Sequence, residues 1–182
     1  RLSCSRRSLY RATHMRRITN VQLPAPMGNL QTIKNPWCLE VDDENLIKDL
    51  YLMNEDVPIS AENWNGDWIS PMGLDLQING GLGISFDELS KDNLPKLLLL
   101  LDQLWADGIE AICPTIITSS IKNLHNSLNI FRKARKQTKK DRCILLGAHL
   151  EGPFISINRK GAHPEQYICP PSLCALEERI QG

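Results

Sequence analysis

The sequence predicts an α/β protein in which a parallel sheet is preceded by a smaller β-rich region. From Met72 onward, near-continuous apolar runs alternate with amphipathic helical patterns, in the order strand, helix, strand, helix, strand. That order is typical of parallel strands covered by helices. Before Pro71, short apolar pieces alternate with frequent turn residues, which favours strands over long helices. The 182 residues leave room for one domain or one and a half.

Residues 15–70 are interpreted as the small β-rich domain. Its apolar pieces are residues 18–23, 37–41 and 68–69, and its turn signals are Asn20, Pro24, Pro26, Gly28, Pro36, Asn54, Pro58 and residues 63–66. Trp64 and Trp68 flank the last of these turns. We expect them to pack the small domain onto the α/β domain, with stacking on a sugar as the alternative.

Residues 71–182 are interpreted as the α/β domain. The first strand covers residues 72–78 and ends at Asn79 and two glycines. A helix follows over residues 92–107, capped by Asp92 or Asn93 and closed by Gly108. Its apolar residues follow the i, i+3, i+4 spacing of a helix packed on one face; they are Leu94, Leu97, Leu98, Leu101 and Trp105.

A second strand is predicted over residues 109–116, and Ser119 or Ser120 is expected to cap the next helix. The apolar residues of that helix are Ile121, Leu124, Leu128 and Phe131, and its end is basic over residues 132–140. Cations at a helix C-terminus complement its dipole, so we interpret the basic run over residues 132–142 as a solvated helix end rather than as a nucleic-acid site. The third strand covers residues 143–150, and a third helix runs from Ser172 to Ile180.

In parallel α/β folds, ligands bind at the C-terminal ends of the strands. The third strand ends in His149, Leu150 and Glu151. Side chains alternate along a strand, so the histidine and the glutamate point to one face and the leucine to the other. This pattern indicates a functional site. The alternative is a carboxylate that caps a nearby helix or pairs with Arg159.

The net charge is zero, but residues 1–39 contain no Asp or Glu and seven Lys or Arg. Acid-free, Arg-rich N-termini are typical of transit peptides. The chain begins with Arg, however, and Met15 is a plausible start. We therefore interpret residues 1–14 as a doubtful or disordered N-terminal extension, with a targeting segment and a nucleic-acid-binding arm as alternatives.

The six cysteines form no C-x-x-C pair, which predicts reduced thiols in a cytoplasmic protein rather than a disulfide framework or zinc ribbon. The longest unbroken apolar run, residues 97–101, is too short to span a bilayer. His14 and His125 have no partner at ligand spacing and are expected to be ordinary surface residues.

Four separated segments carry a resemblance to a known family: residues 71–81 (PMGLDLQINGG), 113–118 (CPTIIT), 147–154 (GAHLEGPF) and 160–164 (KGAHP). In this order, they resemble the N-acetylglucosamine-6-phosphate deacetylases of the amidohydrolase superfamily. The resemblance covers about residues 15–182. It implies a (β/α)8 TIM-type barrel with a small β-rich domain, a homodimer when complete. It further implies hydrolysis of the acetamide of N-acetylglucosamine 6-phosphate to glucosamine 6-phosphate and acetate.

The resemblance also implies roles for particular residues. Glu151 would bind one divalent metal ion, zinc or iron. Ala162 and His163 would contact the sugar phosphate. Gln77 and Asn79 stand where many amidohydrolases have two histidines; amides are poor zinc ligands, so they are expected to hydrogen-bond water or substrate instead. His149 is expected to support the site without binding the metal.

Three strands do not close a barrel, so the sequence predicts only the first three β/α units of one. Either another chain completes the sheet or, as we favour, this is the front part of a longer protein. The general acid/base Asp and two metal-binding His residues are expected beyond Gly182, which leaves no catalytic residue here and makes activity of this chain alone doubtful. The alternatives are another metal-dependent amidohydrolase, acting on a cyclic amide, and a non-catalytic sugar-phosphate-binding relic. The expected partner is a small amino-sugar phosphate, not nucleic acid or membrane.

Overall fold

The structure is a computed structural model that describes residues 15–24, 36–53 and 60–181. The chain divides into two compact units, Arg1–Pro71 and Met72–Gly182. The predictions made for the N-terminal extension, for His14, and for the turns at Pro26, Gly28, Asn54 and Pro58 lie outside the described residues.

The first unit contains four described strands, β1 (Arg16–Val21), β2 (Trp37–Val41), β3 (Ile47–Leu52) and β4 (Glu62–Asn63). They form one sheet in the order β3-β2-β1-β4. The strand predicted at Trp37–Val41 is confirmed. The largely exposed strand β3 was not predicted, because Lys48 and Asp49 interrupt its apolar residues and leave only a short apolar run at its end. Residues 68–69 form no strand: Trp68 makes an isolated bridge with Gln22, whereas Trp64 packs against the core of this unit.

The second unit is built on a parallel sheet. Strand β8 (Ile109–Ile117) lies in the centre and pairs with β5 (Gly73–Ile78) on one side. On its other side it pairs with β9 (Ile144–Leu145) and then β10 (His149–Glu151). Helices α1 (Leu94–Ala106) and α2 (Ile121–Arg135) connect these strands, and α3 (Leu173–Ile180) follows them. The predicted α/β class with a parallel sheet is confirmed.

The helix ends follow the sequence signals with one difference. Gly108 ends α1 with a φ of +86°, and its N–H donates to the carbonyl of Trp105. Ser120 caps α2, because its hydroxyl accepts the N–H of Asn123 at 3.2 Å. Asn93 is the N-cap residue of α1, as predicted, but it makes no side-chain bond to the helix. Its side chain instead accepts the N–H of Ser90 at 2.8 Å, across a 3-10 turn that precedes the helix.

The core of the second unit lies between the sheet and helices α1 and α2. Leu97 and Leu101 of α1 and Ile112 of β8 are fully buried there. The ring of Phe86 packs edge-on against Phe131 of α2, with centroids 5.5 Å apart. Burying a large apolar side chain contributes about 1.5–3 kcal/mol, so these contacts hold the helices against one face of the sheet.

The predicted third strand is interrupted. Leu145 pairs with Ile112 and Leu150 pairs with Ile116, so five residues of one strand lie opposite four of the other. The extra residue is a bulge at residues 146–148, opposite a stretch of β8 that contains Pro114, which has no N–H to donate. Leu145 and Leu150 both pack on the helix-side core. Without the bulge, strict alternation from Leu145 would turn residues 149 and 151 towards the helices; with it they point to the opposite face.

That opposite face is apolar and open near the start of the strands. Leu74, Ala111 and Ile144 are aligned partners across three strands, and Leu74 and Ile144 are 60% and 52% exposed. Leu76 and Leu146 are exposed as well. The sheet therefore presents apolar side chains of at least two strands to solvent, which monomeric folds seldom do over a large patch.

Two polar contacts differ from the sequence interpretation. Arg142, expected at a solvated helix end, is only 16% exposed, and its guanidinium bonds both carboxylate oxygens of Asp102 on α1 at 2.7 and 3.0 Å. His125, expected to be an ordinary surface residue, bonds the carbonyl of Glu178 through Nε2 at 2.9 Å and so links α2 to α3. Both partners are distant in sequence, so neither contact follows from local spacing.

Cysteines 38, 113, 143, 169 and 174, which lie in the described ranges, are all free thiols. Within those same ranges, no helix is long and apolar enough to cross a membrane.

Candidate functional site

A cleft of about 610 Å³ opens at the C-terminal ends of the parallel strands. Gln77 and Asn79 line it from the end of β5, Ile117 from the end of β8, and Glu151 from the end of β10. Its volume falls within the range of small-molecule sites. The cleft therefore lies where a parallel α/β sheet places its ligands.

The segment after β10 forms a second wall of the cleft. Arg159, Lys160, Gly161, Ala162 and His163 line it, together with Ile155. A 3-10 turn at Ile157–Arg159 and the N–H of His163, which donates to the carbonyl of Lys160 at 3.0 Å, fold this segment back over the strand ends. The two predicted site residues of this segment, Ala162 and His163, thereby line the same cleft as Glu151.

A third wall comes from a short hairpin after β5, formed by β6 (Gly80–Gly81) and β7 (Ile84–Ser85). A Cβ at Gly80 would lie 2.1 Å from the carbonyl oxygen of Ile84, so the tight hairpin requires glycine there. The N–H of Phe86 donates to the carbonyl of Asn79 at 2.9 Å and closes the turn. The hairpin returns Ser85 and Asp87 to the cleft, two lining residues that the sequence analysis missed.

His163 is the most enclosed polar side chain of the cleft, at 9% exposure. Its Nε2 lies 3.5 Å from Oε1 of Glu151. Its Nδ1 lies 3.2 Å from the backbone N and 2.8 Å from Oγ1 of Thr118, just beyond the end of β8. The imidazole therefore sits between the ends of two strands.

Among the described residues, the carboxylate of Glu151 faces His163 and forms no ion pair with Arg159. The alternative in which Glu151 serves only to pair with Arg159 is thus not what the structure shows. Glu151 is partly exposed to the cleft, so its carboxylate is free to accept further hydrogen bonds or to bind a cation.

His149 lies on the same face of β10 as Glu151, two residues earlier in the strand. It pairs with Thr115 across the sheet, and its Nδ1 lies 3.1 Å from Oγ1 of that threonine. Its ring does not line the cleft. This position below Glu151 is compatible with a supporting role, which stays a prediction.

The metal ion implied by the resemblance does not fit the described residues by themselves. In residues 15–24, 36–53 and 60–181, no three His, Cys, Asp or Glu side chains lie close enough together to hold a metal. Zinc sites in proteins use at least three protein ligands, and Glu151 supplies one. Further ligands would have to come from outside the part of the chain described here.

Gly152 makes the close approach of the strand ends possible. Its φ is +93°, and a Cβ there would lie 2.0 Å from Oγ1 of Thr118. This contact was not predicted. Thr118 ends the segment 113–118 that carries part of the resemblance, but it was given no role, and 45 residues separate it from its histidine partner.

Comparison with known proteins gives a consistent result. The chain is 40% identical over 133 residues to the N-acetylglucosamine-6-phosphate deacetylase of Caenorhabditis elegans, covering 70% of this chain and 31% of that protein. It is 33% identical over 119 residues to the Bos taurus enzyme of the same name, covering 65% of this chain and 29% of that protein. The chain thus spans under a third of the length of these curated relatives. No family model matches it.

Among solved structures, the crystal structure of N-acetylglucosamine-6-phosphate deacetylase from Pasteurella multocida aligns with 90% of this chain and 41% of its own, at a TM-score of 0.63 and 27% identity. The curated relatives and this solved structure all bear the name N-acetylglucosamine-6-phosphate deacetylase. The chain is therefore similar to one part of these deacetylases, and the resemblance recognised from the sequence is confirmed.

Proposed function

We propose that the complete protein hydrolyses the acetamide of N-acetylglucosamine 6-phosphate, and that this chain supplies one part of its site. The observation that carries the proposal is the placement of Glu151 and His163 side by side in a cleft at the strand ends. The relatives of this chain bear the name of that activity.

The lining of the cleft suits an anionic sugar. Arg159 and Lys160 can attract a phosphate group, because guanidinium and ammonium groups are its usual protein partners. Gln77 and Asn79 carry both donors and acceptors, which suits hydroxyl and amide groups. We propose that Ala162 and His163 contact the sugar phosphate and that the two amides hydrogen-bond water or substrate.

We further propose that Glu151 is one ligand of a divalent metal ion, zinc or iron, in the complete protein. A carboxylate is a suitable ligand for either. The remaining ligands and a general acid/base Asp would come from elsewhere in the polypeptide, together with strands that cover the open face at Leu74 and Ile144. The proposed barrel and the homodimer rest on the same resemblance. A cytoplasmic location is supported by the free thiols.

One observation favours a second candidate, a non-catalytic protein that binds a sugar phosphate. The described residues include a cleft with cationic and amide groups but no group of metal ligands. Such a protein would bind N-acetylglucosamine 6-phosphate without releasing acetate. A relative acting on cyclic amides is less well supported, because the curated relatives are sugar-phosphate deacetylases.

The test is acetate release from N-acetylglucosamine 6-phosphate by the complete polypeptide, with metal content measured on the same samples. Glu151→Gln should lower kcat/KM by at least about a hundredfold, because the loss of groups that merely support a metal ligand already costs about 10–100-fold. Glu165→Gln is the matched control, since Glu165 is exposed and does not line the cleft. Near-normal turnover in Glu151→Gln would refute its role. Binding without turnover in the unaltered protein would favour the non-catalytic candidate.

A further inference from the structure

Thr118 contacts His163 through two separate groups. Its backbone nitrogen lies 3.2 Å, and its hydroxyl oxygen 2.8 Å, from Nδ1 of the imidazole. Thr118 is 3% exposed, so water does not compete freely for either group. The residue follows the last residue of β8 directly, and its backbone is held by the end of the central strand.

These contacts determine which ring nitrogen carries the hydrogen. A backbone N–H can only donate, so Nδ1 must act as an acceptor. In the neutral ring, the hydrogen then sits on Nε2. Nε2 is the atom that faces Oε1 of Glu151, at 3.5 Å. The ring therefore presents an N–H to the carboxylate and to the cleft.

The hydroxyl of Thr118 reinforces this arrangement. It has one hydrogen and two acceptors in reach: Nδ1 of His163 at 2.8 Å and the carbonyl of Glu151 at 3.4 Å. The shorter distance favours donation to the imidazole. The hydroxyl of Thr118 packs against Gly152, where a Cβ would lie 2.0 Å from its oxygen. The glycine therefore leaves room for the hydroxyl in this position.

We propose that Thr118 is a positioning residue that holds His163 in the Nε2–H form, with that N–H aimed at the cleft beside Glu151. There it donates to Glu151 when the cleft is empty and to an oxygen of the anionic sugar when one is bound. The identity of that ligand rests on the proposed function; the effect on the imidazole does not.

The first test is nitrogen NMR of the complete polypeptide labelled at its histidines, with His163→Ala used to identify the signals of His163. In the unaltered protein, Nδ1 should resonate as a bare nitrogen and Nε2 as an N–H nitrogen. Thr118→Ser should preserve that pattern. Thr118→Val should add a population of the other tautomer, in which Nδ1 carries the hydrogen. Thr115→Val is the matched control, because it removes a buried hydroxyl that bonds His149 instead; it should leave the His163 signals unchanged.

The second test separates positioning from a general structural effect. Thr118→Val should raise KM for the sugar phosphate between about twofold and tenfold, the range for one lost hydrogen bond, with a smaller change in kcat. In a His163→Ala background, the same substitution should leave KM unchanged, because the residue it positions is gone. Thr118→Ser should restore the KM of the unaltered protein.

Three results would overturn the inference. The first is a protonated Nδ1 of His163 in the unaltered protein, a result that does not depend on the folding of any Thr118 variant. The second is a Thr118→Val protein with the same His163 signals as the unaltered one. The third is an equal rise in KM with and without His163. If the complete protein releases no acetate at all, the proposed function fails, and the NMR measurement still decides the inference.

Discussion

The substitution Gly152→Ala tests how the strand ends are packed against the cleft. Two costs are expected. Gly152 has a φ of +93°, where an L-residue costs about 1–2 kcal/mol. The added Cβ would also lie 2.0 Å from Oγ1 of Thr118, so the threonine must move by more than about 1 Å to reach ordinary contact. Such overpacking costs a further 1–3 kcal/mol, roughly.

Gly108→Ala is the matched control for this change. Gly108 has a φ of +86°, and a Cβ there would meet no atom within 4 Å. It shares the conformational cost and lacks the crowding. The difference between the two variants is therefore the cost of crowding alone, about 1–3 kcal/mol.

The assay is thermal unfolding of both variants beside the unaltered protein. For a chain of this size, each kcal/mol corresponds to about 2–4 °C of melting temperature. Gly152→Ala should therefore melt at least about 2 °C below Gly108→Ala. Adding Thr118→Ala to Gly152→Ala should recover part of that difference, because it removes the atom in closest contact. Equal melting temperatures for the two glycine variants would refute the reasoning.

Two further predictions concern stability away from the cleft. The Arg142 guanidinium, with help from Lys139, lowers the pKa of Asp102 to about 2. Because this pKa is depressed on folding, the pair stabilises above the ordinary carboxyl pKa and is lost as the pH falls from about 4 to about 2. Asp102→Asn should therefore lower the free energy of unfolding by about 1–2 kcal/mol at neutral pH, after allowance for solvent screening. This loss should disappear as the pH approaches 2, and a loss at pH 2 as large as at neutral pH would contradict the prediction. Leu97→Ala should cost about 2–5 kcal/mol, because Leu97 is fully buried. Leu99→Ala on the same helix, where the side chain is 60% exposed, should change the free energy of unfolding by no more than about 0.5 kcal/mol. If Leu97→Ala and Leu99→Ala lose similar amounts, α1 is packed differently.

Local patterns in the sequence determined the order of elements in the second unit. Each signal acts over a few residues: the apolar stripe of α1, the glycine at 108 that closes it, and the serine at 120 that caps α2. Backbone geometry and capping depend on neighbouring residues only, so they could be predicted without knowing the fold. The placement of Glu151 at the end of a parallel strand followed from the same order.

Tertiary structure decided which way the site faces. Side chains alternate along a strand, so a single extra residue reverses every one that follows. The bulge at residues 146–148 does this, and it depends on pairing with a strand more than 30 residues earlier. Alternation within residues 149–151 predicted that His149 and Glu151 share a face, but only the pairing with β8 decides that this face is the cleft.

The same reason explains the contacts that the sequence did not reveal. Thr118 and His163 are 45 residues apart, and Asp102 and Arg142 are 40 residues apart. A threonine after a strand or an arginine near a helix end has many possible partners. The packing of β8 and β10 selects His163 for Thr118, and the packing of α1 against the segment after α2 selects Asp102 for Arg142. The sequence by itself determined the order of strands and helices in the second unit and the candidate carboxylate. The tertiary structure decided which residues they contact, because those contacts are non-local.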